Sequence, residues 1–287
     1  MSASMVIGIH GLKNKPEKVL LARWWVRSLQ EGLQRNLGLA PPLAFDLVYW
    51  ADIQYPAPIP EAELDNPYIP ADGQGPLLRY SGTARDKANA MTGKWGGRAI
   101  DKNKELIGLD ERSDHLLGLA FDDLRDYYGK PDVRNRVRDR LTHALHRHNN
   151  KRVCLIAHSM GSILAYDVLR MLEHHPPEIE HFVTIGSPLG LPIVTQHVRE
   201  EFSNTLVPPQ VRRWTNLADP GDKIALDCCL GDDYRPTPRG ILVHDDLVHN
   251  EYVDRGGKSD PHNAYGYLRT PELSDIIHGF LDTRNGV

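Results

Sequence analysis

The run Lys151–Leu169, KRVCLIAHSMGSILAYDVL, constrains the fold more than any other stretch of the chain. Val153–Ala157 is a short continuous apolar run, which reads as a strand buried on both faces. It passes without a spacer through Ala157-His158-Ser159-Met160-Gly161 into a helix over Ser162–Leu172. So tight a strand-to-helix turn needs small residues two before and two after its apex, because larger side chains there would strike the neighbouring helix and strand. Ala157 and Gly161 hold those two positions. Ser159 is left at the apex, at the C-terminal end of the strand. The unpaired N–H groups and positive dipole end of the helix lie just behind it.

The same alternation runs through the rest of the chain. Met5–Ile9, Phe45–Trp50, Phe182–Ile185, Arg213–Leu217 and part of Ile241–Val248 read as further strands. Glu17–Leu37 reads as a helix, entered through Pro16 and stopped by Gly38. Pro131–His148 is a helix with Val133, Val137, Leu141 and Leu145 four residues apart, and Pro271–Leu281 is the closing helix. Strands alternating with helices predict an α/β fold with a mostly parallel sheet of about six strands, covered on both faces. At 287 residues and 40% hydrophobic content the chain can build a sizeable core. It is read as one domain over residues 1–287.

One region interrupts the pattern. Pro56, Pro58, Pro60, Pro67, Pro70 and Pro76 fix φ and remove ladder donors, so this stretch is irregular and extended. Some helical character returns near Asp114–Tyr127. Residues from about 56 to 125 are an excursion from the sheet: a surface decoration or, since long loops of this kind carry function, a lid over a pocket.

Several function classes are disfavoured. With 34 basic and 38 acidic residues the net charge is −4, so nothing draws the chain to a phosphate backbone and no nucleic-acid partner is expected. No stretch approaches the ~20 apolar residues of a membrane span. The opening MSASMVIGIHGLK has no basic n-region and reads as a strand entering a turn, not a signal peptide. Three cysteines, Cys154, Cys228 and Cys229, fit a reducing, cytoplasmic setting. A vicinal Cys228–Cys229 disulfide would be strained, and the pair is read as two small core-like residues.

The strand, turn and helix around Ser159 resemble the nucleophile elbow of the α/β-hydrolase superfamily, in its lipase and esterase branch. The pattern departs from G-x-S-x-G at Ala157, and that variant is similar to the elbow of small bacterial lipases. The bland alternative is an ordinary strand–helix turn in which Ser159 or Ser162 caps the helix. Met5-Val-Ile-Gly-Ile-His10-Gly11-Leu12 resembles the superfamily's His-Gly at the end of the strand before its first helix. The resemblance implies that the backbone amides of Leu12 and Met160 form the oxyanion hole. It also implies a minimal sheet lacking the superfamily's two leading antiparallel strands.

The superfamily's chain order is serine, acid, histidine. Two carboxylates follow the strand at Arg213–Leu217. Asp222, before Lys-Ile-Ala, resembles the lipase acid more closely, whereas Asp219 is nearer the strand end. The other is a turn-forming Asp that bonds its own backbone. Among the later histidines, His244 and His249 fall in or beside the sixth strand and His278 in the last helix. His262, in a loop before the closing helix, stands where the lipase branch has its base. His158 points away from the serine and is read as a packing residue.

The resemblance implies a serine hydrolase that cleaves carboxylic esters, small-molecule or lipid, through Ser159, His262 and Asp222 and an acyl-enzyme. That chemistry needs no cofactor. The alternatives are an acyltransferase using the same acyl-enzyme and a catalytically silent binding module of the same fold. His244-Asp245-Asp246 is not read as a metal site, because adjacent strand residues point to opposite faces. Trp24, Trp25 and Trp95 are read as core in preference to a lipid-binding surface. Protein partners and the acyl and alcohol groups are not addressed by any motif.

Overall fold

The computed structural model describes residues 3–82, 124–172, 177–225 and 227–282. Six strands among them build one sheet: β1 (Ser4–Ile9), β2 (Phe45–Val48), β3 (Arg152–His158), β4 (Ile179–Ile185), β5 (Trp214–Ala218) and β6 (Val243–Leu247). The order is β2-β1-β3-β4-β5-β6, and every neighbouring pair is parallel. This is the α/β-hydrolase architecture, with β1 as the first strand of the sheet.

Parallel neighbours need crossover connections, and helices supply most of them. The helices are α1 (Lys18–Leu37), α2 (Pro131–Arg147), α3 (Met160–Met171), α4 (Pro192–Phe202), α5 (Ala264–Leu268) and α6 (Pro271–Leu281). Proline opens α2, α4 and α6, where its missing N–H costs nothing. Gly38 ends α1 in the left-handed region at φ 67° and returns its N–H to Gln34. The helix after Ser159 starts at Met160, two residues earlier than its sequence suggests, because the tight turn uses Ser159 itself as the last non-helical residue. Neither α4 nor α5 is among the elements read from the sequence.

Alternate strand residues feed two cores. Val6, Cys154, Ile156, Val183 and Leu217 pack with Trp24, Trp25 and Phe280 under α1, α5 and α6. Ile7, Ile9, Leu155, Phe182 and Trp214 pack with Leu141, Ile163, Leu164 and Val194 under α2, α3 and α4. Burial on both faces explains the continuous apolar runs. Trp24 and Trp25 are therefore core side chains and offer no lipid surface. Cys154, Cys228 and Cys229 are all free thiols. Among the described residues no helix is long and apolar enough to cross a membrane.

The proline-rich stretch is irregular up to residue 82 and fastened to α1. The Glu31 carboxylate accepts from Tyr68 Oη at 3.0 Å and from Ala71 N at 2.7 Å. Arg35 donates to the carbonyls of Ala71 and Gly75, and Arg269 donates to that of Ile69. Earlier, Ile59 N donates to Lys15 O at 2.9 Å, tying the excursion to the loop after β1. Of the helix read near Asp114–Tyr127, residues 124–129 are helical. The rest of the excursion, Trp95 included, lies outside the described residues.

Candidate active site

The sheet changes its winding direction between β1–β2 and β1–β3, and a crevice opens at the C-terminal strand ends beside such a point. The loops after β1 and β3 meet there. Ser159 sits at φ 54°, ψ −131°, a conformation non-glycine residues adopt only when their surroundings impose it. The imposition comes from close packing. A Cβ on Gly161 would stand 2.7 Å from the His10 carbonyl oxygen and 2.8 Å from that of Ile9. One on Gly11 would stand 2.8 Å from Ser159 Cβ. Only glycine lets α3 and the loop after β1 close around the serine this tightly.

The structure brings Ser159, His262 and Asp222 together. Asp222 lies in the loop after β5 and His262 in the loop before α5. His262 Nδ1 is 2.9 and 3.0 Å from the two Asp222 oxygens. A carboxylate only accepts, so Nδ1 carries the proton and Nε2 of the neutral ring is left as an acceptor. Ser159 Oγ lies 2.9 Å from that Nε2 and donates to it. The Asp222 side chain is fully buried, whereas His262 is 28% exposed and so faces the crevice.

Further partners hold the carboxylate. Ile224 N donates to Asp222 Oδ1 at 2.8 Å and Tyr267 Oη to Oδ2 at 2.8 Å. Tyr267 Oη in turn accepts from Asp219 N at 2.9 Å. Burial would raise the Asp222 pKa, but the His262 charge and these donors outweigh it and hold the group below the usual carboxylate range. Burial likewise pulls His262 down, yet the Asp222 charge and hydrogen bond carry it above 6.5.

The Asp219 carboxylate stands apart from this chain of hydrogen bonds, which Asp219 joins only through its backbone N–H. Its oxygens accept from Gly221 N and Asn250 N, each at 2.6 Å, which knots the loop after β5 to the loop after β6. His244 is a β6 residue, His249 lies 3.9 Å from Asp219, and His278 is exposed on α6. Asp245 accepts from Asn216 Nδ2 at 2.9 Å and from the amides of Leu230 and Gly231. These contacts occupy it with protein donors.

Two histidines shape the site from behind. His158 Nε2 donates to the His262 carbonyl at 2.8 Å, steadying the loop that carries that ring. His10 accepts from Trp50 N at Nε2 and donates from Nδ1 to Gly11 O at 2.7 Å. Burial lowers the His10 pKa to about 3, so its ring is neutral as these contacts require. In a trans peptide C=O and N–H point in opposite directions. By holding the Gly11 carbonyl, His10 turns the Leu12 N–H the other way. No acceptor among the described residues takes the N–H of Leu12 or of Met160. These two donors, one on the loop after β1 and one at the first residue of α3, can receive an anion that develops on a substrate held there.

Tyr267, Gly186 and His10 have parts in this arrangement that the sequence reading did not assign. Gly186 is the clearest. It stands at φ 55°, and a Cβ there would lie 2.9 Å from Asp222 Oδ2 and 3.3 Å from His262 Nδ1. The Gly-Ser-Pro after a buried strand was the available signal.

The family model described as PGAP1-like alpha/beta domain matches residues 115–228. That span takes in β3, the turn at Ser159, α3 and Asp222, but neither Leu12 nor His262. No curated protein matches the chain. The match covers under half of the chain, and together with the parallel six-stranded sheet it agrees with an α/β-hydrolase fold.

Proposed function

Starting from an α/β-hydrolase, we propose that the chain is a serine hydrolase of carboxylic esters. The hydrogen-bonded series from Ser159 Oγ through His262 to Asp222 carries this reading. In it, Ser159 Oγ attacks the ester carbonyl while His262 Nε2 takes its proton. The carbonyl oxygen becomes an oxyanion held by the Leu12 and Met160 amides. The tetrahedral adduct collapses, His262 gives its proton to the departing alkoxide, and the acyl group stays on Ser159. Water then repeats the sequence: His262 takes its proton, hydroxyl attacks the acyl carbon, and Ser159 leaves with the proton returned. Asp222 holds the ring in the Nδ1–H tautomer and stabilises the imidazolium without being protonated itself.

The test is labelling with a fluorophosphonate probe alongside p-nitrophenyl acetate hydrolysis, in wild type, Ser159→Ala and His262→Ala. Wild type is expected to label and turn over. Both variants are expected to lose label and about 10⁴-fold or more in kcat, since the members of such a group act as a unit. A folded wild type that neither labels nor hydrolyses any ester overturns the reading.

A further inference from the structure

His262 stands on a loop, and a loop has no regular ladder of backbone hydrogen bonds to fix its residues. Yet three consecutive carbonyls there, of Pro261, His262 and Asn263, all accept from side chains. His158 Nε2 donates to the middle one at 2.8 Å. Asn250, in the loop after β6, takes the outer two. Its Nδ2 donates to Pro261 O at 2.8 Å and to Asn263 O at 2.9 Å. One amide thus brackets the peptide units on both sides of the base. We propose that Asn250 is a positioning residue for His262, keeping the ring in line with Ser159 and Asp222 through the carbonyls on either side of it. The inference rests on the hydrolase reading above and adds the residue on which alignment of the base depends.

The amide has one workable orientation. Asn250 Oδ1 accepts from Tyr252 N at 3.1 Å, while both hydrogens of Nδ2 go to carbonyls. Turned over, it would set an oxygen against two carbonyl oxygens and an NH2 group against an N–H. Nor can it drift. Asn250 is 2% exposed, and its own backbone N–H is held by Asp219 Oδ2 at 2.6 Å. Gly266 of α5 lies so close that a Cβ there would stand 1.5 Å from Asn250 Oδ1. The missing side chain at 266 is the space the amide fills.

Alignment at this level governs rate. The contacts of the His262 ring to Asp222 and Ser159 lie between 2.9 and 3.0 Å. A misplacement of ~1 Å at a reacting centre costs on the order of 10²-fold. Without the amide, Pro261 O loses this donor and Asn263 O is left to the Tyr267 N–H at 3.4 Å. The loop can then shift, and the ring shifts with it.

The test uses Asn250→Ala, Gly266→Ala and the double variant. Gly266→Ala deletes nothing: its methyl group drives the amide from its place, while alanine itself suits a helix. Thermal melts report stability, and fluorophosphonate labelling well below the melting temperature reports the folded molecules alone. A third readout is the far-downfield proton resonance of His262 Nδ1–H in its charge-assisted bond to Asp222, identified by its absence in His262→Ala. Each single variant is expected to label at least tenfold more slowly than wild type and to lose or broaden that resonance. In the double variant the methyl group occupies space the amide has vacated, so the losses should not add, and labelling should match Asn250→Ala within about threefold. Should either single variant not fold, the double variant, with the space refilled, is compared directly with wild type. Variants that melt earlier but label within twofold of wild type and keep the resonance overturn the positioning role and leave the hydrolase reading standing. A folded wild type that does not label overturns both.

Discussion

Asp219 and Asp222 are three residues apart in one loop, yet their surroundings give them different work. Asp222 accepts from His262 and Tyr267, whereas Asp219 accepts from the backbone of Gly221 and Asn250. Asp222→Asn is expected to lower the rate of fluorophosphonate labelling ~10⁴-fold, the scale on which a ring held in the wrong tautomer fails. Asp219→Ala leaves two amides without their acceptor and is expected to cost about 2 kcal/mol of stability. Its labelling rate should stay within tenfold of wild type. Thermal or urea melts and labelling rates on both variants separate the two roles, and the opposite pattern would exchange them. The same environment sets the pH profile. His262 must be unprotonated to take the serine proton, and Asp222 holds its pKa above 6.5. Activity is therefore expected to rise with pH through a midpoint above 6.5, seen in kcat/KM against pH. In Asp222→Asn the largest raising influence on the ring is gone; Asp260 still raises its pKa, while burial and Lys15 favour the neutral form. The residual activity should then titrate below the wild-type midpoint.

The turn between β3 and α3 depends on one missing side chain. Gly161 lies against the Ile9 and His10 carbonyls of the adjoining strand and loop, and backbone cannot yield as a flexible side chain can. Gly161→Ala is expected to cost ~1–3 kcal/mol by overpacking. It should also slow labelling, because relief requires α3 to withdraw and take the Met160 amide with it. A variant as stable and as reactive as wild type would contradict the close approach. This turn was readable in advance, because its small flanking residues are a direct steric requirement and the strand and helix beside it are strongly periodic. The long helices α1 and α2 were readable for the same reason. Helix α4 carried a weaker message, Pro192 at its first turn and Val194 and Val198 four apart, inside a stretch rich in polar residues. Helix α5 has five residues, too few for periodicity to declare it. What the sequence could not disclose was convergence. Nothing near Tyr267 says that its hydroxyl will meet Asp222, and nothing near Gly186 says that a histidine from 76 positions later will stand against it. Those facts depend on strand order and loop path.

Across the whole molecule every site residue hangs from the C-terminal end of a strand: Leu12 after β1, Ser159 after β3, Gly186 after β4, Asp222 after β5 and His262 after β6. A parallel sheet aligns those ends at one edge, so the site inherits its geometry from the sheet. The helices on the α2–α4 side must in turn be held in place, and there the packing includes charge. Arg138 of α2 donates to Asp167 of α3 at 2.7 Å and pairs with Glu201 of α4 at 2.9 Å. Arg134 adds an ion pair to Asp167 at 3.3 Å. Asp167 is almost wholly buried, and removing one member of such a pair strands the other in a medium of low polarity. Arg138→Ala is expected to cost ~3–5 kcal/mol, measured by chemical denaturation. Arg138→Met combined with Asp167→Leu removes both charges and keeps the volume filled, while Arg134 and Glu201 retain each other. The double variant is expected to recover most of that loss, although Tyr127 then lacks its acceptor. A double-mutant cycle reads the coupling directly. Simple additivity of the two single losses would mean that the three helices are held by their apolar faces alone.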